Sequence, residues 1–346
     1  MGYPQRIAHF LVGRGGRNSE NMAADKTVFE TYLHRLDEGD WAEALDRILP
    51  RIHPADSRAT RIWFAFWPLK LRLALDGSPD PDQVFKEFQL DGTPRLEQQI
   101  DASVAFLFGS AYWSEVKREV VAYAEESSDP QEADLDAHIL ELAGRLATRL
   151  QVEQTLLTGI VAVGVMVLRQ VGLSSLAECA GEPSPNGRPK SAAAVLKLRR
   201  GRGWKSLIWK SGKHRVNFDE SLPESCYEAL DGQDLSMASG SDPRDFRESD
   251  PRRVAGPVPV QCRSGACGYC WIGVLAGEEN LSEMTAFEKR RLEYFGYAPA
   301  AEIARKHPAV RLACQSKCYG DVSIVVPPWN GVLEGRTPEA SSDGGD

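Results

Sequence analysis

Cys262-Arg263-Ser264-Gly265-Ala266-Cys267-Gly268-Tyr269-Cys270, answered far downstream by Leu312-Ala313-Cys314-Gln315, decides how the rest of the chain is read. The thiols are spaced C-x4-C-x2-C, and 43 residues separate Cys270 from Cys314. Three ligands from one loop and a fourth from a distant segment match the thiolate set of a [2Fe–2S] cluster, where each iron takes two sulfurs. Gly265, Ala266 and Gly268 suit a loop that must curl round an inorganic core. Small residues let backbone N–H groups approach sulfur. The competing assignment is a four-cysteine zinc site built from Cys267, Cys270, Cys314 and Cys318. It leaves Cys262 unused.

Outward from the loop, the sequence changes to strand-like character. Trp271–Leu275 and Val322–Val326 read as strands, Thr285–Phe295 as a helix, and Arg311–Ala313 leads into Cys314. Upstream, 195–198 and 206–210 read as strands, with a turn at Ser211-Gly212-Lys213 and a returning strand at Val216–Phe218. Ser221–Leu230 reads as a short helix ended by Asp231-Gly232. Residues 233–259, polar and rich in Ser, Asp, Arg and Pro, read as an exposed excursion.

Hairpin, helix, cysteine loop, strand, helix, cysteine and strand is an order that resembles the plant-type and vertebrate-type [2Fe–2S] ferredoxins. So do C-R-x-G-x-C-x-x-C before a strand, L-A-C-Q around Cys314, and V-x-V-P near Val322–Pro327, read loosely. The segment Asn280–Met284 followed by a helix is similar to the vertebrate-type branch. The resemblance covers residues 194–329. It implies a β-grasp fold, one [2Fe–2S] cluster on Cys262, Cys267, Cys270 and Cys314, and one-electron transfer. The long Cys270–Cys314 spacing and the 233–259 excursion depart from short plant ferredoxins.

Residues 25–180 read as an α-helical bundle. Asp40 is placed as the N-cap of a helix that starts at Trp41 and stops before Pro50. Arg58–Leu75 is placed as one helix kinked at Pro68. Further helices are expected at 84–88, Leu96–Phe108, Tyr112–Glu125 and from Asp129-Pro130 to Gln151. Leu156–Leu168 is apolar but short of the roughly 20 residues that span a bilayer, so it is placed inside the bundle rather than in a membrane. Gly159 and Gly164 would allow close helix packing there.

The whole is therefore expected to be α+β: an N-terminal helical bundle and a C-terminal β-grasp ferredoxin domain. The expected division is a disordered extension at 1–24, the helical domain at 25–180, a linker at 181–193, the ferredoxin domain at 194–330 and a disordered tail at 331–346. Across 346 residues the net charge is −8, with 42% hydrophobic and 26% charged residues, values of a soluble globular protein. The acidity lies in the first half; no part is basic enough to predict nucleic-acid binding. Five of seven cysteines fall between 262 and 318, which favours metal over disulfides and a reducing cytoplasm.

No Glu-x-x-His, P-loop or complete G-x-G-x-x-G motif is present, and His34, His53 and His138 carry no haem-attachment motif. The cysteine pattern with no companion catalytic motif predicts an electron carrier rather than an enzyme, docking a redox protein or oxidoreductase complex. Two alternatives are a redox enzyme whose substrate site lies in the helical half near Trp63–Trp67, and a cluster-based sensor or assembly factor. Cys318 is expected to be a free thiol, Cys179 and Cys226 ordinary small apolar residues. Glu278, Glu279 and Glu283 on one side, and Lys289, Arg290 and Arg291 on the other, leave the sign of the docking surface open. The basic run from Lys197 to Arg215 is expected to be a solvated face.

Overall fold

The computed structural model describes residues 26–130, 133–184, 191–193, 196, 212–222 and 224–333. The expected N-terminal extension, residues 185–190 of the linker, the strand at 206–210 and most of that at 195–198, most of the 197–215 basic run and nearly all of the tail lie outside them.

Among the described residues of the first half there are eight helices: α1 Val28–Arg35, α2 Glu38–Ile48, α3 Pro54–Phe66, α4 Leu69–Gly77, α5 Pro81–Glu87, α6 Trp113–Glu126, α7 Leu135–Leu150 and α8 Thr155–Cys179. Three boundaries differ from expectation. Asp37, not Asp40, caps α2: Asp37 accepts from the Asp40 N–H at 3.0 Å, and Asp40 accepts from the Asp37 N–H at 2.9 Å. This reciprocal pair satisfies two orphan donors and starts the helix earlier. Pro68 separates two helices rather than kinking one, because its extended backbone (ψ 142°) caps α4. Helix α7 opens after Asp134, not at Pro130.

Leu96–Phe108 is not a helix but a series of 3₁₀ turns, Leu96–Gln98, Ala102–Val104 and Phe108–Tyr112. Its polar groups are claimed from outside. The Asp56 carboxylate accepts the N–H groups of Phe108 at 2.6 Å and Gly109 at 2.7 Å, and Trp63 Nε1 donates to Ser103 Oγ at 3.2 Å.

Helix α8 is the axis of the bundle. Residues 157–170 are all buried, and the helix bends at Gly172 (φ 80°). It is long and apolar enough to cross a membrane by length and composition, yet 78% of its most apolar window is buried in the fold. A Cβ at Gly159 would lie 2.5 Å from Thr60 Oγ1, and one at Gly164 2.8 Å from Val116 Cγ1. The two glycines therefore set how closely α3 and α6 approach.

Among the described residues the second half carries a five-stranded mixed sheet. Its strands are β2 Lys213–Asn217, β3 Cys226–Leu230, β4 Trp271–Ala276, β5 Val310–Leu312 and β6 Val322–Val325, in spatial order β3-β2-β6-β4-β5. Strands β2 and β6 are parallel; the other neighbours are antiparallel. Among the described residues, short helices accompany them at α9 Leu235–Ser239, α10 Ala286–Phe295 and α11 Ala300–Ile303.

The helix expected at Ser221–Leu230 is in fact the turn into β3. Tyr227 and Ala229 are buried while Glu228 and Leu230 are exposed, a two-residue period that a helix cannot present. The 233–259 excursion is largely exposed over 240–250, but its two ends are anchored in the fold. Leu235, Ala238 and Val258 are buried, and buried Arg252 donates to Asn330 Oδ1 at 2.5 Å and the Pro327 carbonyl at 2.7 Å.

Helices and sheet share one continuous apolar core. Ile62 of α3 packs where Gly273 lacks a side chain, Phe66 meets Trp271 edge-on at 5.2 Å, and Trp329 Nε1 donates to the Phe66 carbonyl at 2.6 Å. Arg58 donates to the carbonyls of Val274 and Pro308, both at 2.9 Å. A two-residue pairing joins β1 Asp91–Gly92, within the helical half, to β7 Trp329–Asn330.

Candidate metal centre

Strand register assembles the inner side of the site. Trp271 opens β4, is fully buried and stacks on Tyr297 at 4.2 Å, which anchors Cys270 at the sheet end. Leu312 sits opposite Trp271, and the Ala313 N–H donates to the Cys270 carbonyl at 2.9 Å. Cys314 is thereby carried to Cys270, close enough for their thiols to hydrogen-bond.

Backbone geometry assembles the outer side. Arg263, Gly265 and Gly268 adopt left-handed φ of 57°, 76° and 72°. A Cβ at Gly265 would lie 2.8 Å from the Phe287 ring, and one at Gly268 2.3 Å from the Tyr297 hydroxyl. The curled loop places Cys267 against Cys262, again within thiol hydrogen-bonding reach. Loop N–H groups point at sulfur: Cys267 donates to Cys262 Sγ and Tyr269 to Cys267 Sγ, both at 3.4 Å. Gln315 Nε2 lies 3.6 Å from Cys314 Sγ.

The loop is clamped from three elements. Arg291 donates to the carbonyls of Gly265 and Ala266, Tyr297 to that of Gly268, and Asn330 Nδ2 to that of Tyr269 at 2.7 Å. The Tyr269 hydroxyl donates to Asp91. None of these clamps is read from the cysteine motif. Arg291 could be singled out only as a charge near the loop, and Asp91 carries no local signal at all.

The four thiols form an outer pair, Cys262 and Cys267, half-buried, and an inner pair, Cys270 and Cys314, 2% and 8% exposed. One member of each pair is held toward thiolate. At Cys262 burial opposes ionisation, but hydrogen bonds from the Cys267 thiol and from Ser264 outweigh it and bring the pKa to about 6. The Cys270 thiol, donating to Cys314, lowers Cys314 against its burial and is itself raised.

Among the described residues no three His, Cys, Asp or Glu side chains converge as a single-ion site. Two separate pairs suit a two-iron core, which takes its sulfurs two by two. The zinc alternative needs Cys318, but that thiol is fully buried and donates to the Gly320 carbonyl at 3.1 Å. Burial pushes its pKa up to about 11.

Over 98 residues the sequence is 32% identical to a plant-type ferredoxin of Pseudomonas putida, a stretch spanning 28% of the chain and 74% of that protein. The chain belongs to the plant-type ferredoxin family. No family model matches the sequence, and no solved structure matches it. What the ferredoxin relationship supports is a ferredoxin-like region and electron transfer in general.

Elsewhere in this ferredoxin, His53 and His138 of the helical half are held in structural contacts. Trp63, Phe66 and Trp67 are buried. His53 Nδ1 accepts the Ala55 N–H at 3.1 Å and caps α3. Both ring nitrogens of His138 are engaged, with the Tyr123 hydroxyl at 2.6 Å and the Pro130 carbonyl at 2.8 Å.

Proposed function

We propose that the chain is a one-electron carrier in which Cys262, Cys267, Cys270 and Cys314 hold one [2Fe–2S] cluster. The observation that carries this reading is the sorting of the four thiols into two pairs by loop curl and strand register. When bound, the cluster supplies a low-potential one-electron couple, about −400 mV for an all-cysteine site of this type. The sheet order, with β2 parallel to β6 at its centre, supports a β-grasp domain at 194–330 set against a helical domain at 25–180.

The protein's own part is electrostatic and steric. Loop N–H groups donate to sulfur and favour the reduced, more negative state. Trp271, Tyr297 and Phe295 exclude water from the inner pair. The half-buried outer pair is the side from which an electron reaches a docked redox partner, in a cytoplasmic setting.

Anaerobic reconstitution with iron and sulfide tests this. We expect two irons and two sulfides per chain, charge-transfer absorption in the visible, and an EPR signal on one-electron reduction that Cys314→Ser abolishes. A single bound zinc, or a potential near or above zero, would overturn it.

One observation favours a second reading, a redox enzyme fed by the cluster. A pocket of about 300 Å³ lies between the helical half (Trp41, Phe64, Trp67, Met166) and the segment carrying Tyr297. Tyr297 is also the residue that clamps Gly268, so an occupant would sit one aromatic ring from the cysteine loop. Turnover of a small molecule by the purified chain with an artificial electron donor would support this reading; a chain that only relays electrons to another protein would exclude it.

A further inference from the structure

Most arginines of this fold are paired. Arg47, Arg58, Arg61, Arg72, Arg145 and Arg311 each hold a carboxylate, as do several others. The cations around the cysteine loop are different. Arg263, Lys289, Arg290, Arg291 and Lys317 have no ion pair among the described residues, and Arg263, Arg290 and Lys317 are exposed.

Three of them are arranged with aromatic surface. Phe287, Arg290, Arg291 and Tyr294 recur at positions i, i+3, i+4 and i+7 of α10, which places them on one face. That face is turned outward: Phe287 is 41% and Tyr294 38% exposed, while Glu288, Leu292 and Phe295 point into the core. The same face touches the loop. Phe287 packs against Gly265, and Arg291 holds the Gly265 and Ala266 carbonyls while lying over the Tyr294 ring at 4.8 Å. Arg263 extends the face across Gly240 at the end of α9, where Met237 is 50% exposed.

The carboxylates nearby do not cancel this charge. Glu288 is fully buried and bonded to Arg311 at 2.9 Å through both oxygens. Glu278 is paired with Arg58 at 3.1 Å. Asp234 bonds the Met237 N–H and the Ser236 hydroxyl. Glu279, Glu283 and Glu293 remain exposed, against three exposed cations plus Arg291 and Lys289. The loop itself contains no acidic residue.

We infer that Arg263 and the Phe287–Arg290–Arg291–Tyr294 face form the docking surface for a redox protein with an acidic face. Arginine and aromatic side chains are the types that carry binding energy at protein interfaces, and unpaired cations steer an anionic partner. The surface borders the half-buried Cys262–Cys267 pair, so a protein seated on it approaches the site on its least covered side. This positive face belongs to a chain whose net charge is −8, so the local field and the overall charge make opposite predictions.

The inference rests on the cluster assignment, and the test separates the two. In the reconstituted full chain, oxidation of the reduced protein by ferricyanide is compared with oxidation by hexaamminecobalt(III) as salt is raised. The proposal expects the ferricyanide rate to fall with salt and the cobalt rate to rise. Arg263→Glu/Arg290→Glu should lower the ferricyanide rate at low salt by about tenfold. A ferricyanide rate that rises with salt in the parent protein overturns the docking surface.

A second measurement needs no electron flow: binding of the full chain to poly-L-glutamate, followed by fluorescence anisotropy. It should weaken at least about fivefold in the double charge-reversal variant. Unchanged binding overturns the proposal, as does tighter, charge-reversal-sensitive binding to phosphatidylglycerol vesicles, which would assign the face to a lipid surface. A chain that takes up no cluster but binds polyglutamate in this way would refute the cluster assignment and leave the acidic-partner surface standing.

Discussion

Replacing Arg311 with leucine tests how the distant fourth cysteine is held. Arg311 is 4% exposed and Glu288 fully buried. Arg311 Nε and one terminal nitrogen donate to the two Glu288 oxygens, each at 2.9 Å, and its other terminal nitrogen donates to the Ser282 carbonyl at 3.0 Å. Glu288 also accepts the Leu312 N–H at 2.8 Å. The pair thus ties α10, which covers the loop, to β5, which delivers Cys314. Removing one partner of a buried ion pair leaves an uncompensated charge and costs about 3–5 kcal/mol. Arg311→Leu should lower stability by that amount, read as a drop in the urea midpoint.

Glu288→Leu should cost a similar amount. The double variant Arg311→Leu/Glu288→Leu should cost less than the sum of the two singles, because it leaves only neutral groups unpaired, chiefly the Leu312 N–H and the Ser282 carbonyl, at about 1–3 kcal/mol each. In reconstituted protein, the single Arg311→Leu change should also speed the loss of visible absorbance under air, since Cys314 follows three residues on. A cost below about 1 kcal/mol for either single variant, or strictly additive costs in the double, would refute a buried and coupled pair.

Three further outcomes follow from particular contacts. Gly273→Ala would place a Cβ 2.5 Å from Ile62 Cγ2, so it should destabilise by about 1–3 kcal/mol, and Ile62→Ala should recover part of that loss in thermal denaturation. Cys318→Ser should leave iron content and the EPR signal unchanged, because that thiol is spent on Gly320, whereas Cys270→Ser should lose both. The Arg244 hydrogen bonds hold Asp242 below the usual carboxylate range, so its stabilising contribution is present above about pH 4 and is lost as pH falls through its lowered folded value. Asp242→Asn should therefore be less stable than the parent at pH 7, with the difference shrinking in acid; a constant difference would contradict the ion pair.

The elements that were legible in sequence are those whose signal is local. Trp271–Leu275, the helix after Thr285 and the strand at Val322 all stand where periodicity and caps put them. Misread segments are those whose backbone partners come from elsewhere. Leu96–Phe108 has enough apolar residues for a helix, but Asp56 and Trp63 take its polar groups. Residues 226–230 lack a strong strand signal alone and become a strand because β2 lies beside them in register. Arg252, in a stretch that reads as exposed, is buried because Asn330 and Pro327 accept its guanidinium.

The sequence by itself determined the candidate ligands, since C-x4-C-x2-C with a later L-A-C-Q is a covalent spacing that needs no fold to be read. It also determined that glycines must lie between those thiols, because only small or left-handed backbone lets N–H groups face sulfur. Tertiary structure alone decided which thiol stands with which, through the Trp271–Leu312 register and the loop's left-handed residues. It decided that the loop is clamped by Arg291, Tyr297 and Asn330. It decided, finally, which charges are spent and which remain available. Glu288 and Arg311 cancel inside the core, while Arg263 and Arg290 stay unpaired beside the loop. Pairing depends on distance through space, and the order of residues along the chain does not contain it.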